Sequence, residues 1–446
     1  MAGPFEATDA TKLPAFCRIE ATLKPSADSE IKTEFWLPLQ GWNGKFMGVG
    51  NWGWGGSIMY GGLEYGLKNG YAAASNDTGH SGGNAGSFAI GHPDKVLDYG
   101  FRANHEMTLD AKQILKIFYG VSPKHSYFVG CSLGGQQAMT EVQRFPDDYD
   151  GIVAGSPASP IGHLNAFQIW PALLAIKNPA GVIPQSKSAM IHAAEMKDCD
   201  ELDGVKDNII ENPEACHFDP AELLCKGADA PDCLTAPQVK FLQTVYAGAH
   251  NSRTGELIYA PLAIGDEFMA LDTNPMGNAT GLFKNLVFQD PNWDWKTFNM
   301  DTDVDLSDKV LAVVNGADNP NLKPFFDRGG KLLMYQGWSD PSSPRQSFNY
   351  YERVLKTVGS QTADSMRVFA MPGVGHCMGG LGCDAFDKLA VIDQWVESGK
   401  APERIVASKL SNGKAIRTHP LCAYPMVAKY KGTGSTDDAE NFVCAK

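Results

Sequence analysis

The feature that most constrains the fold is a five-residue turn, Gly130-Cys-Ser-Leu-Gly134, between a strand pattern and a helix pattern. Residues Ser126–Val129 favour a short buried strand, and residues Gln136–Arg144 favour a helix. Glycines at both ends of such a turn permit the tight reversal that lifts a serine hydroxyl out of the backbone. The sequence therefore predicts a sheet with a serine exposed at the carboxyl end of one strand.

Short strand patterns alternate with helix patterns on both sides of this turn. Strands are predicted at residues 31–37, 46–49, 71–75, 151–154, 331–335 and 366–370, and helices at residues 101–119 and 386–397. A loop-rich stretch with four of the ten cysteines interrupts this rhythm. The pattern predicts the α/β class. Specifically, we expect an α/β-hydrolase core in two parts, residues 1–159 and 321–446, with a large insertion at residues 160–320.

Two further residues complete a candidate catalytic triad with Ser132. A serine hydroxyl is a poor nucleophile until a base takes its proton. In this fold the partners follow in the order Ser, Asp, His, each in a loop after a strand. Asp340 follows the strand at 331–335, and His376 follows the strand at 366–370. We predict that Ser132 is the nucleophile, Asp340 the orienting acid and His376 the general base.

Acyl transfer by such a serine also needs donors aimed at the developing oxyanion. The backbone N–H of Leu133, which follows the nucleophile, is the first candidate. The second is expected in the glycine-rich segment Asn51–Gly56, where Gly53 is the chosen residue. Tryptophans at positions 52 and 54 predict a bulky pocket entrance.

The cysteines predict disulfide bonds. Cys131 directly precedes Ser132 and Cys377 directly follows His376, so a triad in contact would bring the two cysteines within bridging distance. The other close pairs are Cys199 with Cys216, Cys225 with Cys233, and Cys422 with Cys444. Such pairs in a large chain indicate an oxidising compartment. The N-terminal residues show no signal peptide, and the chain is interpreted as a secreted or periplasmic protein whose signal peptide was removed.

Charge and hydropathy argue against two classes of partner. The formal net charge of −13 gives no electrostatic reason to bind nucleic acid or an anionic membrane. No apolar run approaches the roughly 20 residues of a membrane-spanning helix. We therefore expect neither a nucleic-acid partner nor a membrane partner.

The paired motif Cys131-Ser132, Asp340 and His376-Cys377 resembles the tannase and feruloyl esterase family of α/β-hydrolases. Similar stretches include Trp42–Phe46, Gly70–His80, Phe145–Pro157 and Asp290–Trp295. The resemblance implies a secreted esterase with a large lid, acting on small aromatic esters of plant cell-wall or polyphenol origin. Family members cleave esters of ferulate, gallate and, in one branch, mono(2-hydroxyethyl) terephthalate.

The resemblance also implies a structural Ca²⁺ and no organic cofactor. Asp200, Asp203 and Asp207 supply hard oxygen ligands within eight residues, although their spacing is not that of an EF-hand. In similar proteins three aspartates and two backbone carbonyls hold the ion, and the carbonyls correspond here to Val205 and Ile209.

Several alternatives stay open at this point. Cys17 is either unpaired or bonded to Cys383. Leu133 stands where the terephthalate branch carries a glutamate, and this difference disfavours a terephthalate specialist. A terephthalate-monoester hydrolase is therefore only the second interpretation among the enzymes. A serine peptidase and a non-catalytic carbohydrate-binding or adhesion protein are the other two. Aromatic residues of the insertion are candidates to sandwich a substrate ring, namely Trp170, Phe268, Phe283, Trp293, Trp295 and Phe298.

Overall fold

A mixed sheet of eight strands is the centre of the computed structural model, which describes residues 13–83, 85–265, 274–312, 314, 316–342 and 344–446. The strands of the described residues, in this sheet and in three separate pairs (β7–β8, β11–β12 and β13–β14), are β1 Phe16–Leu23, β2 Ile31–Pro38, β3 Lys45–Val49, β4 Ala72–Asn76, β5 His125–Cys131, β6 Gly151–Gly155, β7 Ala249–His250, β8 Leu257–Tyr259, β9 Lys331–Gly337, β10 Met366–Met371, β11 Arg404–Ser411, β12 Lys414–Cys422, β13 Val427–Tyr430 and β14 Phe442–Ala445. The sheet order is β1-β2-β4-β3-β5-β6-β9-β10. β2 is antiparallel to both of its neighbours, and the other six strands of the sheet after it (β4, β3, β5, β6, β9 and β10) are parallel to one another.

Helices follow most strands of the sheet. They are α1 Tyr60–Lys68, α2 Pro93–Leu97, α3 Ala103–Tyr119, α4 Leu133–Arg144, α5 Ile161–Lys177, α6 Ser188–Cys199, α7 Ala236–Ala247, α8 Gly277–Gly281, α9 Asp303–Val310, α10 Lys323–Asp327, α11 Arg345–Val358, α12 Thr362–Ser365 and α13 Lys388–Ser398. The α/β class is confirmed. None of the helices among the described residues has both the length and the apolar character needed to cross a bilayer.

The two faces of the sheet bury separate apolar cores. Successive strand residues point to opposite faces, so Tyr127 and Phe128 of β5 belong to different clusters. Tyr127 packs with α1 and α13, and Phe128 packs with α3, α4 and α11. Both faces of this parallel region are therefore covered, as a sheet of this kind requires.

A long segment separates β6 from β9 and carries α5 to α10. It has an apolar core of its own, to which Phe167, Leu242 and Phe283 belong. Trp54 and Leu133 join the same core from the sheet side. The segment therefore packs directly on the loops at the carboxyl end of the sheet. The domain boundaries at residues 159 and 320 stay a prediction.

Four disulfides are present, and all four predicted pairings are confirmed. They join Cys131 to Cys377, Cys199 to Cys216, Cys225 to Cys233, and Cys422 to Cys444. Cys17 and Cys383 are free thiols, so the first of the two alternatives for this pair applies. Burial raises the pKa of the Cys383 thiol to about 11, so this cysteine is an unreactive packing residue at neutral pH.

Candidate active site

Ser132 occupies a strained turn between β5 and α4. Its φ of 64° and ψ of −120° lie outside the regions that a residue with a Cβ ordinarily adopts. The Ser132 N–H donates to the carbonyl of Gly155 at 3.0 Å, and the Ser132 carbonyl accepts from the N–H of Gln136 at 3.0 Å. These bonds hold the unfavourable conformation against the end of β6 and the first turn of α4.

Glycines around this turn are required by space as well as by backbone angle. A Cβ on Gly130 would lie 2.3 Å from the carbonyl oxygen of Gly134, and a Cβ on Gly135 would lie 2.3 Å from that of Gly155. Real Cβ atoms do not approach so closely. Gly130 of the sequence motif and Gly135, which directly follows the motif, therefore allow α4 to start directly against the strands.

Asp340 and His376 form a hydrogen-bonded pair at the ends of β9 and β10. The Nδ1 atom of His376 lies 2.9 Å from Oδ2 of Asp340. The Asp340 carboxylate is fully buried, whereas the His376 side chain is about one-third exposed, at 33%. The pair thus has the orientation in which a buried carboxylate fixes the tautomer of a solvent-facing imidazole.

The electrostatics of this pair keep the carboxylate ionised. Burial acts to raise the pKa of Asp340, but the hydrogen bond and charge of His376, together with donors from Ser342 and Gln336, outweigh it and hold the pKa below its usual value. Burial acts to lower the pKa of His376, and the hydrogen bond and charge of Asp340 reverse this, so the pKa lies above its usual value. Each group stabilises the charged form of the other.

Gln336 is a functional residue that the sequence interpretation missed. Its Nε2 donates to Oδ2 of Asp340 at 2.7 Å, and its Oε1 accepts from the hydroxyl of Ser347 at 2.8 Å. The N–H of Ser342 donates to Oδ1 of Asp340 at 2.8 Å. The carboxylate therefore receives three donors and has one fixed orientation. Gln336 lies four residues before Asp340, at the end of β9, and that placement is the only signal in the sequence.

The Cys131–Cys377 disulfide joins the neighbours of the candidate nucleophile and base. The Cα atoms of the two cysteines are 6.1 Å apart. Ser132 and His376 are each one residue from this bridge, so the bridge keeps the loop after β5 beside the loop after β10.

The two predicted oxyanion donors lie at the start of α4 and in the segment that follows β3. Leu133 is the first residue of α4, so its N–H has no partner within the helix. The segment of Gly53 begins against α4, where the N–H of Gly134 donates to the carbonyl of Asn51 at 2.7 Å. Gly53 has a φ of 59° and open space on its Cβ side. The roles of Leu133 and Gly53 stay a prediction.

The two tryptophans of this segment have different environments. Trp54 is buried, stacks on Tyr99, and donates from Nε1 to Oδ1 of Asn278 at 3.0 Å. Asn278 belongs to α8, so Trp54 ties the segment to the insertion. Trp52 is 46% exposed.

Aromatic residues of the insertion largely form its core. Phe283 is fully buried and packs on Phe298, with ring centroids 4.4 Å apart, and on Trp293. Trp170 is also buried. The hypothesis that these residues sandwich a substrate ring is wrong for Phe283, because its ring is enclosed by protein. Phe268 lies outside the described residues.

The acidic loop after α6 brings its carboxylates onto its own backbone. Asp200 accepts from the N–H groups of Asp207, Asn208 and Ile209 at 3.1 to 3.3 Å. Asp203 accepts from the N–H of Val205 at 3.0 Å.

Two of these carboxylates share one small cavity. Asp203 and Asp207 line it together with Glu211, and Arg417 forms an ion pair with Asp207 there. Burial first, and then the charges of Glu211 and Asp207, raise the pKa of Asp203 to about 6. Within the described ranges, no three His, Cys, Asp or Glu side chains converge as a metal site. The oxygen-rich donor set and the crowding of like charges nevertheless fit a hard divalent cation in composition.

Comparison with known proteins places the chain in a family. The family model described as "Tannase and feruloyl esterase" matches residues 17–445. The chain belongs to this family. An uncharacterized esterase of Xanthomonas campestris pv. campestris is 38% identical over 99% of this chain and 87% of its own length.

Fungal relatives and a solved structure agree with that assignment. A probable feruloyl esterase B-2 of Aspergillus terreus is 32% identical over 96% of this chain and 86% of its own length. The crystal structure of feruloyl esterase B from Aspergillus oryzae is similar with a TM-score of 0.90 and 31% identity, covering 96% of this chain and 90% of that one. The predicted family and the α/β-hydrolase fold are confirmed, and the chain is an esterase.

Proposed function

We propose that this esterase hydrolyses esters of hydroxycinnamic or gallic acids through an acyl-enzyme on Ser132. The observation that carries the mechanism is the contact of 2.9 Å between His376 and the buried Asp340, in a loop that the Cys131–Cys377 bridge joins to the turn of Ser132. The substrate class is supported by relatives that are named feruloyl esterases.

The proposed reaction has two steps. His376 takes the proton of the Ser132 hydroxyl as the oxygen attacks the ester carbonyl, and the N–H groups of Leu133 and Gly53 bind the oxyanion. His376 then gives its proton to the departing alcohol. A water molecule, deprotonated by His376, attacks the acyl-enzyme, and the aromatic acid leaves as Ser132 regains a proton. Asp340 stays ionised throughout and holds the imidazole in place.

An apolar cleft between the sheet and the insertion is a suitable place for the acyl ring. Its volume is about 270 Å³, and it is lined by Met196, Ile209, Ile264, Trp338 and Leu381, among others. Trp338 and Ser339, which line the cleft, belong to the loop that carries Asp340. Planar aromatic groups pack well on such side chains. We interpret the segment between β6 and β9 as the lid that covers this cleft.

Steady-state hydrolysis tests the proposal. The substrates are methyl ferulate, methyl gallate and mono(2-hydroxyethyl) terephthalate, each assayed with the wild-type chain, Ser132→Ala and the control Ser360→Ala at an exposed serine. We expect turnover of a ferulate or gallate ester that Ser132→Ala abolishes and Ser360→Ala leaves unchanged. Turnover of the terephthalate ester alone would replace the substrate class, and full activity of Ser132→Ala would overturn the mechanism.

We also propose that the acidic loop binds a structural Ca²⁺. The residues that would hold it are Asp200, Asp203 and Asp207 by their carboxylates, with the carbonyls of Val205 and Ile209. The ion would stabilise the ionised carboxylate of Asp203, whose pKa is raised by burial and by its acidic neighbours. It would thereby stabilise the loop that the Cys199–Cys216 disulfide closes.

The melting temperature in Ca²⁺ and in EDTA tests this site. We expect a higher melting temperature in Ca²⁺ for the wild-type chain and for the control Asp232→Asn at an exposed position, and no such difference for Asp203→Asn. Equal melting temperatures in the two buffers for the wild-type chain would contradict the proposal.

Export from the cytoplasm is part of the same proposal. Disulfides persist in oxidising compartments, and the four bridges tie together the triad loops, the acidic loop and the C-terminal strands. Thiol titration of the denatured, unreduced protein is expected to find only Cys17 and Cys383.

A further inference from the structure

A second cavity is bordered by the Cys131–Cys377 bridge, and we call it the disulfide pocket. Its volume is about 580 Å³, and the bridge forms part of its wall. Apolar and aromatic side chains line most of it, including Met47, Val49, Met59, Tyr335, Met378 and Phe386. Ser132, Asp340 and His376 are not among its lining residues. The pocket shares no lining residue with the acyl cleft described above, so the two are distinct.

Charge is distributed unevenly in this pocket. Lys388, Lys409 and Asp384 line it. Lys409 donates to the carbonyl of Gly380 at 2.7 Å and lies 3.7 Å from Asp384, whose other oxygen accepts from the N–H of Gly379 at 2.8 Å. The carboxylate is therefore satisfied by its neighbours.

In the part of the chain that the structure describes, the ammonium group of Lys388 has no anionic partner in contact with it. Its ammonium lies over the rings of Phe386 and Tyr335, 4.5 and 5.1 Å from the centroids. Among the described residues it makes no hydrogen bond and no ion pair. Burial lowers the pKa of Lys388, and the charges of Asp384 and Asp387 offset part of this effect. A carboxylate in the pocket would supply the missing partner.

The walls favour an aromatic group over an alkyl chain. Tyr335 and Phe386 meet edge to face, with centroids 5.6 Å apart. Methionine sulfurs make favourable contacts with ring edges, and three methionines line the pocket. Trp52, largely exposed, adds a further ring surface. A flat ring with one carboxylate matches both the walls and the charge.

We propose that the disulfide pocket is a second binding site, specific for an aromatic carboxylate whose acid group pairs with Lys388. The occupant would lie against Cys131 and Cys377, the neighbours of Ser132 and His376. The proposed reaction releases an acid of this chemistry, but the site rests on the pocket itself and not on that reaction.

Calorimetric titration with cinnamate tests the site without any turnover. Ser132 is first blocked with phenylmethylsulfonyl fluoride, so that binding at the triad is excluded. We expect binding of one cinnamate that Lys388→Met weakens about tenfold or more, since a hydrogen bond to a charged group contributes about 1.5–3 kcal/mol. Lys388→Arg and the control Lys400→Met, at an exposed lysine, should bind as the wild-type chain does. Neutral cinnamyl alcohol should bind at least tenfold more weakly.

A second variant keeps the lysine and removes the space. Ala385→Leu adds volume at the pocket wall, and we expect it also to weaken cinnamate binding about tenfold. Circular dichroism spectra identical to the wild type confirm that each variant is folded. Loss of binding on blocking Ser132, equal affinities of Lys388→Met and Lys400→Met, or no binding by the wild-type chain would each overturn the proposal. A failure of the esterase assay leaves this titration interpretable.

Discussion

Replacing Asp340 with asparagine removes the charge of the proposed triad and leaves the shape of the side chain nearly unchanged. Three donors converge on the carboxylate, from His376, Gln336 and Ser342. Asparagine offers one oxygen instead of two. In either orientation its NH₂ group would therefore face a donor, from His376 and Gln336 at the Oδ2 position or from Ser342 at the Oδ1 position. Gln336 cannot turn its amide at no cost, because its Oε1 accepts from Ser347. We expect the imidazole to adopt the other tautomer, in which the nitrogen facing Ser132 carries a proton and cannot act as a base.

The expected loss is about 10⁴-fold in kcat, equivalent to about 5.5 kcal/mol of transition-state stabilisation, the size found where this orientation fails in a serine triad. The acidic limb of kcat/KM reports the free enzyme. In the wild type it should lie above pH 6.5, because Asp340 raises the pKa of His376. In the variant the limb should move to lower pH, since burial of His376 then acts alone.

The control is Asp308→Asn, which changes the exposed pair between His163 and Asp308, 3.0 Å apart. It should leave kcat and the pH profile unchanged. The same residue makes the stability of the wild type depend on pH. Because the pKa of Asp340 is lower in the folded than in the unfolded protein, its carboxylate stabilises the fold at a pH above the unfolded pKa, and this contribution is lost as the pH falls through the folded pKa. Residual activity of Asp340→Asn within tenfold of the wild type, or an acidic limb that does not move down, would refute the role given to Asp340.

Two further predictions concern the frame around the triad. Replacing Cys131 and Cys377 together with alanine opens a loop of 246 residues, for which chain entropy gives a loss of about 5.5 kcal/mol in the free energy of unfolding. Denaturant unfolding should show this loss, and an unchanged midpoint would contradict it. Gly130→Ala should fail to fold or lose activity, because its Cβ would lie 2.3 Å from the Gly134 carbonyl, while the control Gly61→Ala, at an open helical position, should raise the melting temperature slightly. Soluble, fully active Gly130→Ala would show that the turn can relax.

Local patterns in the sequence were sufficient for seven strands of the sheet, although β1 was missed, and they also located the contacting residues Asp340 and His376. The strand predicted at 331–335 is β9, which runs two residues further, and the helix predicted at 101–119 is α3 preceded by a π-helical turn at Asp98–Arg102. The turn at Ser132 carries its own signal, because glycines, strand and helix are adjacent in the chain. The order Ser, Asp, His then locates the two partners.

Features that depend on distant contacts could not be predicted in the same way. Ser156 illustrates this, because its hydroxyl accepts from the Cys377 N–H and from Gln336, each at 3.4 Å, across about 180 residues or more of chain. The C-terminal pairs β11–β12 and β13–β14 were missed, since no helix alternates with them. Aromatic composition also misled, because a buried ring such as Phe283 and a substrate-facing ring look alike in a sequence.

The path of the loop after β10 explains why a covalent bridge stands beside this triad. β5 and β10 are separated by two strands, so at about 4.8 Å per strand their ends are roughly 14 Å apart. The Cα atoms of Cys131 and Cys377 are nevertheless 6.1 Å apart. The loop must therefore turn back across the sheet, and its contacts show that it does: a Cβ on Gly337, at the end of β9, would meet the Val374 carbonyl oxygen at 2.2 Å. Ser132 is held by its own strand and helix, whereas His376 lies on this returning loop, so loss of the bridge should displace His376 more than Ser132.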